Sequence, residues 1–318
     1  MKMTERKVAI IGCGLVGSST AFSLVTQGVC DKVVMIDLNE ERAYGEVLDL
    51  KDCIEYLHRN VKVIKGTYAD CSDADIVVIT AGAPPKPGQS RLDTLELSAK
   101  ICKSIVEPIM KSGFDGIFIA ISNPVDIVAH FIHSLSGLPK NQVIGTGTAI
   151  DSARLQNFIA EIAKVDPRSV HAYSMGEHGD SQMVPWSTVT IAGKPFYDVI
   201  QDNKEMIGEI DLDELVYKTS REGWEIFNRK GTTYYGIATA CTGIIKAILN
   251  DENKIIPVST LLEGEYGEKD VYAGVPTVLN RTGAADVLEI HMTPGELARF
   301  KESTKLIREY TKKIMEFK

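Results

Sequence analysis

Along the first 145 or so residues, short apolar runs alternate with segments of mixed polarity. KVAIIG (7–12), KVVMID (32–37), VKVIKG (61–66), DIVVITAG (75–82), GIFIAIS (116–122) and QVIGTGT (142–148) are almost continuously hydrophobic. A strand with one wet face alternates apolar and polar positions, whereas unbroken runs suit strands of a parallel sheet covered on both sides. Helical periodicity fills the gaps, most clearly at 16–28 and 91–112. Strand and helix in alternation predict a doubly wound α/β sheet of Rossmann type.

After about residue 150 the texture changes. A helix is predicted over 150–164, followed by mixed strand and loop in SVHAYSMGEHGDSQMVPWSTVTIAG. Helices at 211–227 and 234–249 come next, then a strand-rich stretch at 255–290 and a charged amphipathic helix from Thr293 to the C-terminus. This is α+β, so the chain divides into a first domain over 1–148 and a second domain over 149–318. No internal repeat or low-complexity segment interrupts either.

The turn after the first strand reads Gly12-Cys13-Gly14-Leu15-Val16-Gly17. In a GxGxxG turn the first glycine permits the bend and the second admits a pyrophosphate against the backbone. The third lets helix and strand pack closely. Free N–H groups at the helix N-terminus then face the phosphates. Alone this motif is weak, but the next strand ends in Asp37, twenty residues beyond Gly17. A carboxylate there accepts hydrogen bonds from a ribose diol and repels a 2′-phosphate, so NAD is expected rather than NADP.

Composition narrows the reading without redirecting it. A chain of 318 residues, 44% hydrophobic and 25% charged, is long enough to bury a substantial core and to form two domains. Its net charge of -8 argues against a nucleic-acid or anionic-membrane surface. The N-terminal apolar run is short and broken by glycines, so neither signal peptide nor membrane helix is expected and a cytoplasmic protein is. Six scattered cysteines form no CxxC and no Cys/His cluster. They read as free, buried thiols, and no metal site is expected.

Further polar residues fall where purely structural loops would not need them. SNPVD (122–126) sets Asn123 at the end of the fifth strand, and open α/β sheets bind ligands at carboxyl strand ends. DSARLQ (151–156) puts Asp151 and Arg154 three apart on one helix face, by itself only a surface ion pair. GEHGDS (176–181) holds His178 between two glycines, and Thr233 in KGTTYYGIA stands at a helix start, where capping alone would explain a hydroxyl. The loop AGAPPKPGQSRLD (81–93), with three prolines and two glycines, delivers a single arginine, Arg91, five residues after Lys86.

GxGxxG, SRLD, DSAR and GEHGDS in this order are highly specific together. From Val8 to near the C-terminus the chain resembles NAD-dependent L-lactate dehydrogenases, with malate and L-2-hydroxyisocaproate dehydrogenases as close relatives. The resemblance implies hydride transfer between NADH and a small 2-oxo acid. It implies that His178 gives the proton to the 2-oxo group, that Asp151 orients the imidazole, and that Arg154 holds the substrate carboxylate in a bidentate fork. Arg91 would swing in to polarise the carbonyl, while Asn123 orients it and Thr233 contacts the carboxylate end. Ile237 would pack on the nicotinamide. Gly12, Gly14, Leu15, Val16, Gly17, Asp37, Thr80, Ala81, Gly82, Ser122 and Asn123 would line the rest of the NAD site.

In this family the position six residues before the loop arginine faces the substrate's side chain, with glutamine in lactate and arginine in malate dehydrogenases. Here it is Pro85, which has no donor for a second carboxylate. Bacterial relatives activated by fructose 1,6-bisphosphate carry an arginine two residues after the substrate-binding one and a histidine in the following strand. This chain has Gln156 and His171, so weak or absent activation is expected. The family also implies a homotetramer or dimer, with apolar positions of the helices at 150–164 and 234–249 available between subunits. A malate or branched-chain 2-hydroxy acid dehydrogenase is the alternative within the class. A catalytically silent NAD-binding regulatory protein would be expected to have lost part of the set Arg91, Asp151, Arg154 and His178. An NAD-dependent glycosidase would need a metal-binding Cys/His arrangement, and none is evident.

Overall fold

A computed structural model of the chain describes residues 5–82 and 91–318, the side chains of residues 91–94 and of Met206 excepted. Pro85 therefore lies outside the described residues. The first half lays down strands β1 (Lys7–Ile11), β2 (Lys32–Ile36), β3 (Lys62–Lys65), β4 (Ile76–Ile79), β5 (Ile117–Ala120) and β6 (Val143–Gly145). All pair in parallel, in the order β6-β5-β4-β1-β2-β3. Helices α1 (Leu15–Gln27), α2 (Glu40–Cys53), α3 (Arg91–Lys111) and α4 (Val125–Ser136) alternate with them, and α5 (Ala149–Ala163) follows β6.

The continuity of the apolar runs has its cause in burial. Every residue of β1, β4 and β5 is buried, because helices cover both faces. Strand order reverses between β1 and β4, and the crevice at such a switch point is where an open sheet receives a ligand. The Gly12 turn and Thr80 follow those two strands.

Beyond α5 come the short strands β7 (Val170–His171), β8 (Thr190–Ile191) and β9 (Lys194–Pro195), which form a small antiparallel sheet. Helices α6 (Phe196–Asp202), α7 (Lys204–Ile207), α8 (Leu212–Lys230) and α9 (Tyr235–Leu249) precede a meander of β10 (Lys254–Glu263), β11 (Lys269–Asn280) and β12 (Gly283–Val287). Helix α10 (Pro294–Met315) opens with a capping box in which Thr293 and Glu296 satisfy each other's backbone N–H.

The meander does not stand apart. β10 pairs antiparallel with β6 through Ser259 and Gly145, giving one nine-stranded sheet ordered β12-β11-β10-β6-β5-β4-β1-β2-β3. A Cβ on Gly145 would lie 2.9 Å from that of Ser259, so only glycine admits β10 this closely.

Much of the apolar face of α5 and α9 packs inside the chain. Leu155, Ile159 and Ala160 join the core around β7 and α6, and Cys241, Ile244, Ile245 and Ile248 join the core under β1 and β2. A core face and an interface face share one periodicity. Exposed apolar side chains include Phe22, Tyr44 and Leu48 on α1 and α2, Tyr217, Trp224 and Phe227 on α8, and Tyr235 at the start of α9.

All six cysteines are free, and burial pushes the thiols of Cys13, Cys30, Cys71, Cys102 and Cys241 up to about 12, so they serve as small hydrophobes. Among the described residues no helix is long and apolar enough to cross a membrane, and no group of three His, Cys, Asp or Glu could hold a metal ion.

Candidate functional site

The glycine turn is built for close approach. Gly12 sits at φ +100°, and a Cβ on Gly17 would fall 1.9 Å from the Gly12 carbonyl oxygen, a clash no side chain survives. Thr80 pins the turn to β4, its hydroxyl donating to the carbonyls of Ile11 (3.1 Å) and Gly12 (2.9 Å). Gly14 is the N-cap of α1, has no side-chain cap, and would present a Cβ to open space with nothing within 4 Å. The amides of Leu15, Val16 and Gly17 have no partner within the helix. Uncapped amides beside an open glycine fit a pyrophosphate.

Asp37 is fixed to this turn. Its Oδ2 accepts from the Cys13 N–H at 2.6 Å and its Oδ1 from the Asn39 N–H at 2.8 Å. The carboxylate thus stands half-buried at the end of β2, where the ribose of a nucleotide lying on the turn would meet it. Ser122 ties the ends of β4 and β5 together, donating to the Ala81 carbonyl at 2.6 Å, beside the exposed Gly82. Asn123 follows, exposed at the carboxyl end of β5. Val16 and Ile237 both pack on the core under β1, at the contact of α1 with α9.

The acid–base group assembles around the first turns of α5. His178 Nδ1 lies 2.6 Å from Asp151 Oδ2, while Arg154 Nη1 donates to Asp151 Oδ1 at 3.1 Å. The pair read from sequence as a surface ion pair is buried, with side-chain exposure of 1% for Asp151 and 8% for Arg154. His178 keeps 24%, enough to reach a ligand. Burial alone would lower the His178 pKa, but the charge and hydrogen bond of Asp151, with the charge of Asp126, raise it above the ordinary histidine value. Asp151 is held below the usual carboxylate range: His178 and Arg154 outweigh its burial. With Nδ1 committed to Asp151, the other ring nitrogen, Nε2, is left for proton exchange.

The histidine's own segment is clamped. Gly176 exchanges backbone hydrogen bonds with Gly274 of β11, at 2.9 and 2.8 Å. Ser303 of α10 accepts from the Glu177 N–H at 2.8 Å and meets the Ser181 hydroxyl at 2.9 Å. A further residue, Asp126, was not singled out from sequence although SNPVD contains it. It is buried in α4, and its Oδ2 accepts from the main-chain N–H of His178 at 2.9 Å. Burial pushes its carboxyl up to about 6, against the neighbouring Ser259 hydroxyl and His178. An acid inside the otherwise apolar run VDIVAHFI was the signal available.

Thr233 does not cap α9: Tyr234 holds that position with no side-chain bond. A Cβ on Gly236 would touch Ile150 at 2.8 Å, so the Thr233–Ile237 segment stands over the α5 turn that carries Asp151. Arg91 is the first residue of α3 rather than part of the loop; its side chain, like Pro85, lies outside the described residues.

Two family models match the chain. The one described as "lactate/malate dehydrogenase, NAD binding domain" covers residues 6–145, and "lactate/malate dehydrogenase, alpha/beta C-terminal domain" covers 148–318. The chain is 55% identical over 314 residues to L-lactate dehydrogenase 3 of Bacillus anthracis, spanning 99% of each chain. With an L-lactate dehydrogenase of Lactococcus lactis subsp. cremoris the identity is 47%, over 99% of this chain and all of the other. The ligand-bound crystal structure of the minor L-lactate dehydrogenase of Enterococcus mundtii superposes with a TM-score of 0.94 at 45% identity, covering 98% of both chains.

Proposed function

Because the chain belongs to the lactate/malate dehydrogenase family, we propose that it is an L-lactate dehydrogenase, interconverting pyruvate and L-lactate with NADH and NAD. The observation that carries the chemistry is the 2.6 Å contact of His178 Nδ1 with Asp151, beside the Arg154 guanidinium. Arg154 spends one N–H on Asp151 and has others for the substrate carboxylate, in the fork that a lysine could not make. Protonated His178 gives its Nε2 proton to the carbonyl oxygen during reduction and takes it back from the hydroxyl during oxidation. Asp151 keeps the ring in one orientation and lowers the energy of the imidazolium. The Gly12–Gly17 turn would hold NADH, which when bound would supply the hydride for the carbonyl carbon.

Around that core, Arg91 polarises the carbonyl as charge develops on its oxygen. Asn123 orients it, and Thr233 meets the carboxylate end. Pro85 offers no donor to a second carboxylate, which would be buried unpaired at a cost of several kcal/mol. That disfavours oxaloacetate and leaves pyruvate and somewhat larger apolar 2-oxo acids. The Gln156 amide donates to the Ala172 carbonyl at 3.1 Å beside the exposed His171. It brings no cation to a phosphate there, in keeping with a weak response to fructose 1,6-bisphosphate. The reading includes a homotetramer or dimer in the cytoplasm, reducing pyruvate to lactate in fermentation, with domains divided near residue 148.

The test is NADH oxidation by pyruvate with the wild type and His178→Asn. The wild type is expected to turn over and to make the L isomer. The variant is expected to bind NADH nearly normally but to lose about 10²–10⁴-fold in turnover. Near-normal turnover by the variant would overturn the role of His178.

A further inference from the structure

His178 sits in a loop whose neck is closed by two backbone hydrogen bonds between Met175 and Met183, at 2.8 and 2.9 Å. Ser174 precedes one of these residues and Gln182 the other, and both side chains are buried, at 0% and 5% exposure. A buried amide or hydroxyl costs free energy unless its hydrogen bonds are made. The Ser174 hydroxyl donates to Gln182 Oε1, and Gln182 Nε2 donates to the Gly179 carbonyl at 3.0 Å. At the other end, the Ser174 N–H donates to the buried Ser152 hydroxyl at 2.9 Å. Gly179 follows His178, and Ser152 follows Asp151. The series Ser152, Ser174, Gln182, Gly179 therefore runs from the turn of α5 that carries the carboxylate to the loop that carries the imidazole. It bridges the same two segments as the 2.6 Å contact of His178 Nδ1 with Asp151 Oδ2.

We propose that Gln182 is a positioning residue that, through Ser174 and Ser152, holds His178 at hydrogen-bond distance from Asp151. This rests on the L-lactate dehydrogenase reading and deepens it. Ser303 of α10 and Asp126 of α4 hold the loop at the N–H groups of Glu177 and His178. Gln182 holds it on the far side of the histidine and leads back to α5 instead. An imidazole tied only to α4 and α10 can drift from Asp151, whereas a tie to α5 moves with the carboxylate. Proton transfer is sensitive to displacements on the order of 1 Å, so such a support bears on turnover. The charges that act on His178, namely Asp151, Asp126 and Arg154, are left in place by changes at Gln182 or Ser174.

The test compares the wild type with Gln182→Met, Ser174→Ala and the double variant, as NADH holoenzymes reducing pyruvate across about pH 5.5–9, the span around histidine titration. Methionine keeps the length of the glutamine side chain and makes neither of its hydrogen bonds. Each single change is expected to lower kcat about threefold to thirtyfold, the scale of one broken buried hydrogen bond, with NADH affinity unchanged. The pH at which kcat/KM falls should move down toward the ordinary histidine value of about 6.5, because the Asp151 contact loosens. The double variant should lose no more than the worse single one, since both break the same series of bonds.

Variants that unfold at lower temperature yet keep the wild-type kcat and pH position would show a structural role and overturn the proposal. Losses that multiply in the double variant overturn it as well. Ser174→Ala, the smaller change, decides the matter alone if Gln182→Met does not fold. A wild type that does not oxidise NADH with pyruvate overturns the proposal together with the functional reading.

Discussion

The Asp126 carboxylate accepts the main-chain N–H of His178 at 2.9 Å, so the first turn of α4 holds the proposed proton donor by its backbone. This joins the SNPVD segment, which carries Asn123, to the GEHGDS segment through one buried group. Burial raises the Asp126 carboxyl to about 6, and that fixes the sign of its effect on stability. The folded chain holds this proton more tightly than the unfolded one. The contribution is therefore full below about pH 4 and is lost as the pH rises through 6, an effect of ~3 kcal/mol.

Asp126→Asn removes that titration while retaining an acceptor for the His178 N–H. Relative to the wild type, the variant should gain thermal stability between pH 5 and pH 7.5, with kcat reduced and NADH binding preserved. Thermal midpoints at the two pH values decide it. An identical difference from the wild type at both would show that the buried carboxyl does not titrate in this range.

Asp151→Asn acts on the neighbouring equilibrium. Burial alone lowers the pKa of His178, and the Asp151 charge overcomes it. In the proposed mechanism pyruvate reduction needs the imidazolium, so kcat/KM is expected to fall as the pH rises through the folded pKa of His178. In the wild type that fall should come above the ordinary histidine value of about 6.5. In the variant it should move to lower pH, and maximal turnover should drop because the ring loses its anchor. A pH profile of unchanged position would remove Asp151 from its assigned part.

In the proposed reading, Asp37 governs the choice of cofactor. It is already bonded to the Cys13 and Asn39 amides, and the next positions, Leu38 and Asn39, offer no arginine to a 2′-phosphate. NADH should be used with a kcat/KM at least about a hundredfold above that for NADPH, on the scale of one unfavourable buried contact between like charges. Equal values would contradict the assignment.

Much of this architecture is legible before any coordinates. The six apolar runs mark six parallel strands because burial on both faces erases the polar alternation. Glycine spacing marks the cofactor turn because Gly17 has no room for a side chain. What stays hidden depends on contacts distant in sequence. The strands over 255–290 read as part of a separate unit, yet they extend the first sheet through Ser259 and Gly145. Asp151 and Arg154 read as a surface pair from their spacing, and only α8 and the His178 segment closing over them make the pair a buried one. Asp126 acquires meaning only from a neighbour 52 residues away.

The central claim is that the site reduces pyruvate in preference to dicarboxylic 2-oxo acids, and one comparison tests it most directly. Purified protein with NADH is assayed for kcat/KM on pyruvate, 2-oxobutyrate, a branched 2-oxo acid and oxaloacetate. Pyruvate is expected to lead, with the larger apolar acids following within about 10–200-fold, the range an apolar pocket can discriminate per methylene. Oxaloacetate should be the poorest, because Pro85 provides no partner for its second carboxylate. Oxaloacetate reduced more efficiently than pyruvate would contradict the account and make the chain a malate dehydrogenase instead.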